Sequence, residues 1–164
     1  MDAIDRKILG ILQRDGSTPY AELGSSVGLS ASAINDRLKR LKAKGALKRI
    51  TAEVAPEALD LGCLVFVLVE LGDLDCEPAF LAAMRAAPEV LECHHVAGDY
   101  SYLLKVRLHG MAHLERFLSA GIKSLQGIRR THSLITLSSV KETHELNTEI
   151  ETQGIMPRGI GVGA

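Results

Sequence analysis

The chain has 164 residues, a net charge of −1 at pH 7 and 46 % hydrophobic residues. It is long enough for one medium or two small domains, while its apolar runs are too short to cross a bilayer and its amino terminus lacks an apolar signal region. The three cysteines include no C-x-x-C pair, so neither a disulfide framework nor a zinc knuckle is indicated, and a reducing cytoplasm fits. Only 4 % of the residues are aromatic, which disfavours a platform for single-stranded nucleic acid.

The first residues predict a helix with defined ends. Asp2 is suited to cap it, and Ile4, Ile8 and Ile11 recur at i, i+4 and i+7. The run Arg14-Asp15-Gly16 then ends this helix, because it interrupts the apolar pattern with turn-forming residues.

The stretch 20–50 is typical of a helix-turn-helix, and Thr18-Pro19 begins its first helix. Gly28 ends that helix because glycine adopts positive φ without steric cost, and Ser30 is a good N-cap for the second. The buried face of this second helix follows at i, i+4 and i+7: Ile34, Leu38 and Leu41. Such a second helix lies in the major groove of DNA in helix-turn-helix proteins.

The opposite face of this helix is polar and largely basic. It comprises Ser32, Asn35, Asp36, Arg37, Lys39 and Arg40. Residues 35–49 hold seven cations and one acid, a charge of +6 where a phosphate backbone would lie. Asp36 either accepts from a cytosine amino group or pairs with Arg40 at i+4. We expect residues 47–54 to form a short wing strand or two-stranded ribbon that carries Lys48 and Arg49 to the DNA backbone.

Charge divides the chain into two domains. Residues 1–55 carry ten Lys and Arg against six Asp and Glu, whereas residues 56–164 carry nine against fourteen. We therefore predict a DNA-binding domain at 1–55, a hinge at 56–62, a second domain at 63–147 and a flexible tail at 148–164. The only partners expected are double-stranded DNA, a small-molecule effector and further copies of the chain, with no membrane.

The second half repeats a strand-helix-strand pattern. The predicted elements are strands at 63–71, 90–96, 101–108 and 128–139, with helices at 77–87 and 111–124. In the second helix, Met111, Leu114 and Leu118 share one face. The order βαββαβ predicts an α+β, ferredoxin-like fold with two helices on one face of a four-stranded antiparallel sheet.

The first of these strands is apolar on both faces over residues 64–69. Because a strand with two apolar faces needs cover on both, we expect the open face of the sheet to pack against a second copy and form a homodimer.

Four stretches together resemble the leucine-responsive/asparagine-regulator (Lrp/AsnC) family of transcription factors. They are MDAIDRKILGILQRDG, AELGSSVGLSASAINDRLKRLKAKGALK, ECHHVAGDYSYLLKV and RTHSLITLSSVKET, in this order between Met1 and Asn147. The resemblance implies a winged helix-turn-helix followed by a ligand-sensing domain that dimerises and often assembles into octamers. It also implies that small amino acids or related metabolites bind between dimers.

By position, the resemblance makes 30–44 the base-reading helix, with its outer residues as DNA contacts: Ser30, Ser32, Asn35, Asp36, Arg37, Lys39 and Arg40. It makes the turn Gly98, Asp99, Tyr100 and Ser101 the effector loop, facing Thr131 and Ser133 on the last strand. Many family members carry an Asp where this chain has Ser101. We therefore expect weak or altered amino-acid binding, or a transfer of the task to Asp99.

Other functions have weaker support. Adjacent strand residues point to opposite faces, so only Cys93 and His95 share a side, which is too few for a metal site. Siroheme decarboxylases are similar in their two-domain build, and His94, His95 and Arg130 would then hold a tetrapyrrole. A stand-alone effector-binding module is the third alternative. The basic helix argues against both, and we expect no cofactor, no metal and no enzymatic activity.

Overall fold

The structure is a computed structural model that describes residues 1–149. It divides into two compact units: a helical unit of Met1–Glu53 with the described residues 142–149, and a sheet unit of Val54–Lys141. Residues 142–147, at the end of the predicted domain 63–147, group with the helical unit. Of the predicted tail at 148–164, residues 150–164 lie outside the described part. Within the described part, no helix is long and apolar enough to span a membrane.

The helical unit contains three helices: α1 (Ala3–Arg14), α2 (Tyr20–Val27) and α3 (Ala31–Ala43). Both predicted caps are confirmed, since Asp2 accepts from the Asp5 N–H and Ser30 accepts from the Ala33 N–H. Each helix buries one apolar face against the others. Their common core consists of Ile8, Leu12, Leu23, Ile34, Leu38 and Leu41.

The turn between α2 and α3 depends on two glycines. Gly28 ends α2 in the left-handed conformation, at φ 72°, as its position in the sequence predicts. Gly24 permits the close approach of the following loop, because a Cβ there would lie 2.4 Å from the carbonyl oxygen of Leu29. The Leu29 N–H donates to the Gly24 carbonyl at 2.9 Å. The turn that orients α3 therefore has no room for a side chain at position 24.

The predicted wing strand at 47–54 is wrong. The N–H groups of Ala46 and Leu47 both donate to the Leu41 carbonyl, at 3.0 and 3.2 Å, so this backbone closes α3. Residues 48–55 then adopt no regular structure. A strand needs a hydrogen-bonded neighbour, and the described residues of the helical unit contain no second strand. Lys48 and Arg49 are exposed on this irregular segment.

Residues 142–149 attach to α1 through a side-chain amide. Gln13 donates from Nε2 to the Leu146 carbonyl at 3.0 Å and accepts the Leu146 N–H at Oε1 at 2.8 Å. Next to it, Thr148 fills the space above Gly10, where a Cβ would lie 2.6 Å from Thr148 Oγ1. These contacts explain why the segment belongs to the helical unit.

The sheet unit has the predicted ferredoxin-like fold. After a 3₁₀ turn at Pro56–Leu59 in the predicted hinge, its elements are β1 (Cys63–Leu71), α4 (Glu77–Ala86), β2 (Val90–His95), β3 (Tyr102–Leu108), α5 (Met111–Arg116) and β4 (Ile128–Ile135). The antiparallel sheet has the order β2-β3-β1-β4, so β2 and β4 form its edges.

One face of this sheet forms the core with α4 and α5. The β1 residues Val65, Val67 and Val69 are fully buried there. The predicted single helix at 111–124 changes at Phe117–Ile122 into a π-helix, which brings Phe117 and Ile122 into the core. Met111, predicted to face inward, is exposed at the first turn of α5.

The other face of the sheet carries apolar side chains without cover from its own unit. Phe66 and Leu68 are half-buried, and Leu134, the neighbour of Phe66 on β4, is 49 % exposed. Lys105, the neighbour of Phe66 on the central strand β3, lies on the same face and pairs with Glu92 of the edge strand β2 at 3.4 Å. The open face therefore combines exposed apolar side chains with an ion pair next to them.

Candidate functional site

The outer face of α3 presents polar groups to solvent. Ser32, Asp36, Lys39 and Arg40 are exposed, and Asn35 is half-buried. The buried residues on the opposite side fix this orientation, because side chains at 3.6 residues per turn separate into two faces. The Ser30 hydroxyl is engaged in capping and lies 2.9 Å from the Ser32 hydroxyl. No ion pair joins Asp36 to Arg40 among the described residues, so the predicted i+4 pair does not form.

Arg37 differs from its expected position on the exposed face. Its side chain is 19 % exposed, and its Nη1 atom donates to Asp2 Oδ2 and Asp5 Oδ1 at 2.7 Å each. The hydrogen bond from Arg37 lowers the pKa of the Asp2 carboxyl, and the two carboxylates raise the pKa of the guanidinium. A sequence pattern at i, i+4 does not reveal this contact, because Asp2 and Asp5 lie on another helix.

The predicted effector loop is built into the end of the sheet. The Ser101 N–H donates to the Val69 carbonyl at 2.9 Å, and the Ser101 carbonyl accepts from the Val96 N–H at 3.0 Å. The Ser101 hydroxyl accepts the Leu71 N–H at 3.2 Å. Ser101 thus extends the pairing of β3 with β1. Gly98 has φ 127°, a conformation in which side chains are strained, and Asp99 is exposed.

Tyr100 lies against a cluster of charges at the start of β4. The Arg130 guanidinium carbon is 4.6 Å from the centroid of the Tyr100 ring, which is a cation–π distance. Arg130 Nε also donates to Glu70 at 3.0 Å, and Arg129 pairs with the same carboxylate at 3.1 Å. Sequence reasoning missed Glu70 and Arg129, which become neighbours of the loop only through the pairing of β1 with β4.

Thr131 and Ser133 point to the other face of the sheet. They pair with Val69 and Val67, whose side chains enter the core, whereas Arg130 pairs with Glu70 on the open face. The structure therefore divides the predicted effector set: Tyr100 lies with Arg130 on the open face, and Thr131 and Ser133 lie on the side of the helices.

The residues nominated for a metal or tetrapyrrole do not converge. His94 and His95 are on β2 and Arg130 is on β4, the opposite edges of the sheet. His94 lies 2.9 Å from Glu92, and His95 stacks on Tyr102. Cys93 is exposed on β2, and partial desolvation raises the pKa of its thiol. No group of three or more metal-ligating side chains occurs among the described residues.

Both halves of the chain match models of one protein family. The AsnC-type helix-turn-helix domain matches residues 1–42, and the Lrp/AsnC ligand binding domain matches residues 63–146. The chain belongs to the Lrp/AsnC family of transcriptional regulators. The first match contains α1, α2 and most of α3, and the second begins at the first residue of β1.

Relatives and solved structures agree over nearly the whole chain. The HTH-type transcriptional regulator FL11 of Pyrococcus furiosus is 37 % identical over 89 % of this chain and 95 % of its own. The leucine-responsive regulatory protein of Haemophilus influenzae is 39 % identical over 89 % of both chains. A transcriptional regulator of Neisseria meningitidis, solved in complex with L-Met, superposes with a TM-score of 0.86 at 32 % identity, covering 91 % of this chain and 97 % of its own. These regulators lend no support to the decarboxylase alternative.

Proposed function

We propose that this regulator reads an operator through the outer face of α3 and responds to a small amino acid or related metabolite through its sheet unit. The observation that carries the first part is the exposed polar face of α3, with Lys39 and Arg40 free of ion pairs to the residues described. The proposed base-reading and phosphate-binding residues are Ser30, Ser32, Asn35, Asp36, Lys39, Arg40, Lys48 and Arg49. Arg37 is left out of this set because its guanidinium is engaged.

The effector is proposed to bind at the loop 98–101. Three features support a polar ligand there: the positive φ of Gly98, the exposed Asp99 and the cationic Arg130 beside Tyr100. The L-Met bound to the Neisseria regulator supports an amino acid as the chemical class. Thr131 and Ser133 contribute in this proposal from the other side of the sheet edge, which requires a second copy of the chain to complete the pocket.

A homodimer through the open face of the sheet is the proposed minimal assembly. Phe66, Leu68 and Leu134 provide its apolar centre, and cover by a second copy would remove them from water. An octamer of four such dimers is the larger assembly that the family resemblance implies. The protein is proposed to be a regulator without enzymatic activity.

Sequencing the DNA fragments that the purified protein retains, with and without each of the common amino acids, tests both parts. We expect a shared sequence motif and an amino acid that changes its retention. Fragments without any motif would contradict the operator-reading proposal. A purified protein with a Soret-type absorption band would instead favour the tetrapyrrole enzyme.

A further inference from the structure

The starting observation is that Arg37 differs from the other cations of α3. Its Nη1 atom has two carboxylate partners on the amino-terminal turn of α1, Asp2 and Asp5. Among the described residues, the remaining cations of α3 and its carboxyl-terminal end make no ion pair: Lys39, Arg40, Lys42 and Lys44.

The two carboxylates are themselves held in place by the cap of α1. Asp2 Oδ1 accepts the Asp5 N–H at 2.7 Å, and Asp5 Oδ2 accepts the Asp2 N–H at 3.2 Å. The two remaining oxygens, Asp2 Oδ2 and Asp5 Oδ1, accept from Arg37. Every carboxylate oxygen therefore has a partner, and the position of Arg37 is fixed by a capping box that the backbone of α1 orders independently.

This cluster differs from an ordinary surface ion pair in burial and charge. The side chains of Arg37 and Asp5 are only 19 % and 15 % exposed, so solvent screens their contact less than it screens exposed pairs. Two carboxylates against one guanidinium leave the cluster with a net charge of −1. Arg37 therefore supplies no net positive charge to a phosphate backbone.

The same cluster lines a cavity together with two cationic side chains that have no ion-pair partner among the described residues, Arg40 and Lys44. Arg37, Arg40 and Lys44 line this cavity of about 330 Å³ together with Asp2 and Asp5. Positions 37, 40 and 44 lie on one side of α3, because i, i+3 and i+7 share a helix face. Without the two carboxylates, three cations would stand in a row along the DNA-binding helix.

We propose that Asp2 and Asp5 hold Arg37 away from DNA, so that Arg37 positions α3 on α1 and the recognition helix binds non-specific DNA less tightly than its sequence charge suggests. Arg37 is a positioning residue whose pairing limits binding to non-specific DNA, while Arg40 contacts the nucleic acid. The proposal rests on the assignment of α3 to DNA, and Arg40 reports on that assignment separately.

The test measures binding to a random-sequence DNA duplex at several salt concentrations, with the full chain. We compare the wild type, Arg37→Ala, Asp2→Asn/Asp5→Asn, the triple variant Asp2→Asn/Asp5→Asn/Arg37→Ala, and Arg40→Ala. Each phosphate contact contributes about 0.9 to the slope of log K against log salt. We expect no change in slope for Arg37→Ala, a slope steeper by about 0.9 for the double Asn variant, and a return to the wild-type slope in the triple variant.

Two results would overturn the proposal. A slope lower by about one in Arg37→Ala would mean that Arg37 already contacts phosphate in the wild type. A steeper slope that persists in the triple variant would mean that the carboxylates repel DNA directly, without acting through Arg37. If Arg40→Ala changed neither the affinity nor the slope, the assignment of α3 itself would fail, which is a distinguishable outcome.

Asparagine caps helices about as well as aspartate, so Asp2→Asn at the N-cap should keep α1 folded, and the amide oxygen of Asp5→Asn can still accept the Asp2 N–H. Asp2→Asn alone changes a side chain that is 54 % exposed and provides a second variant if the double variant unfolds. It is expected to steepen the slope in the same direction. A wild-type slope in every folded Asn variant contradicts the release of Arg37.

Discussion

The two proposed binding regions use their polar groups differently. On α3, Lys39 and Arg40 are exposed and unpaired among the described residues, so DNA can bind without displacing an internal contact. At the effector loop, Ser101 is already bonded to the end of β1 and Tyr100 to Arg130. The cations of the proposed DNA-binding face are therefore already available to a ligand, whereas binding at the proposed effector loop would have to exchange or extend contacts that hold the sheet together.

The largest expected effect comes from comparing a substitution in the core of the sheet unit with a substitution on its open face. Val67 is fully buried beneath the helices, so Val67→Asp should reduce the free energy of unfolding by several kcal/mol, roughly 3–5. Leu68→Asp, one residue away on the open face, should leave the protomer folded and weaken its dimer. Chemical denaturation and sedimentation measure the two effects. A wild type that sediments as a folded monomer at micromolar concentration would refute the dimer.

The second prediction concerns alkaline pH. Burial, together with the hydrogen bond that its hydroxyl donates to Glu77, raises the pKa of Tyr102 from 10.0 to about 12. As pH rises from 10 to 12, the unfolded chain loses this proton while the folded sheet unit keeps it, so stability falls by roughly 2–3 kcal/mol. Denaturation followed over this range should show the loss, and Tyr102→Phe should remove it. An identical pH dependence in both proteins would contradict the assignment.

Acid pH should act on the helical unit instead. The hydrogen bond from Arg37 lowers the pKa of Asp2 below its ordinary value of 3.8. The stabilisation by this contact is present above pH 3.8 and is lost as pH falls through the lower pKa of the folded state. The two units are thus expected to lose stability at opposite ends of the pH scale.

The next prediction tests the exposed outer face of α3. Arg40→Ala should cost about 1–3 kcal/mol of operator affinity if Arg40 reads a base, or lower the salt slope by about one if it meets only phosphate. Arg37→Ala is the comparison variant, because it removes the same side chain from the same helix at a position whose charge is already paired; since Arg37 also positions α3 on α1, circular dichroism checks that this variant is folded. Titration of a retained DNA fragment at two salt concentrations measures both. Unchanged affinity and salt dependence for Arg40→Ala would remove α3 from the groove.

Sequence alone predicts local features well in this protein. The caps at Asp2 and Ser30, the glycine turn at Gly28 and the βαββαβ order each depend on a few neighbouring residues and are confirmed. The predicted wing strand fails because alternation of side chains does not supply the partner strand that a ribbon needs.

Contacts between distant residues are what sequence reasoning misses. Asp2 and Asp5 meet Arg37 from another helix, and Glu70 meets Arg130 from another strand. The π-helix at Phe117–Ile122 likewise interrupts the regular helix predicted over 111–124. Each of these depends on tertiary packing, which overrides the local pattern, and together they determine which polar side chains remain available to a ligand.

The last and smallest expected effect tests the effector loop. One oxygen of an aspartate at position 101 can accept the Leu71 N–H as the serine hydroxyl does now, leaving the second oxygen for the ammonium group of an amino acid. A charge-assisted hydrogen bond is worth about 1.5–3 kcal/mol, so we expect Ser101→Asp to bind free amino acids about 10-fold more tightly than the wild type. Ser101→Ala is the control, because it removes the acceptor and leaves the Leu71 N–H without it, which should lower the free energy of unfolding by about 1 kcal/mol without creating an ammonium site. Calorimetry over the common amino acids decides between these outcomes. Tight binding by the wild type that is lost in Ser101→Asp would show that the hydroxyl itself recognises the ligand, and that the loop needs no added charge to complete its site.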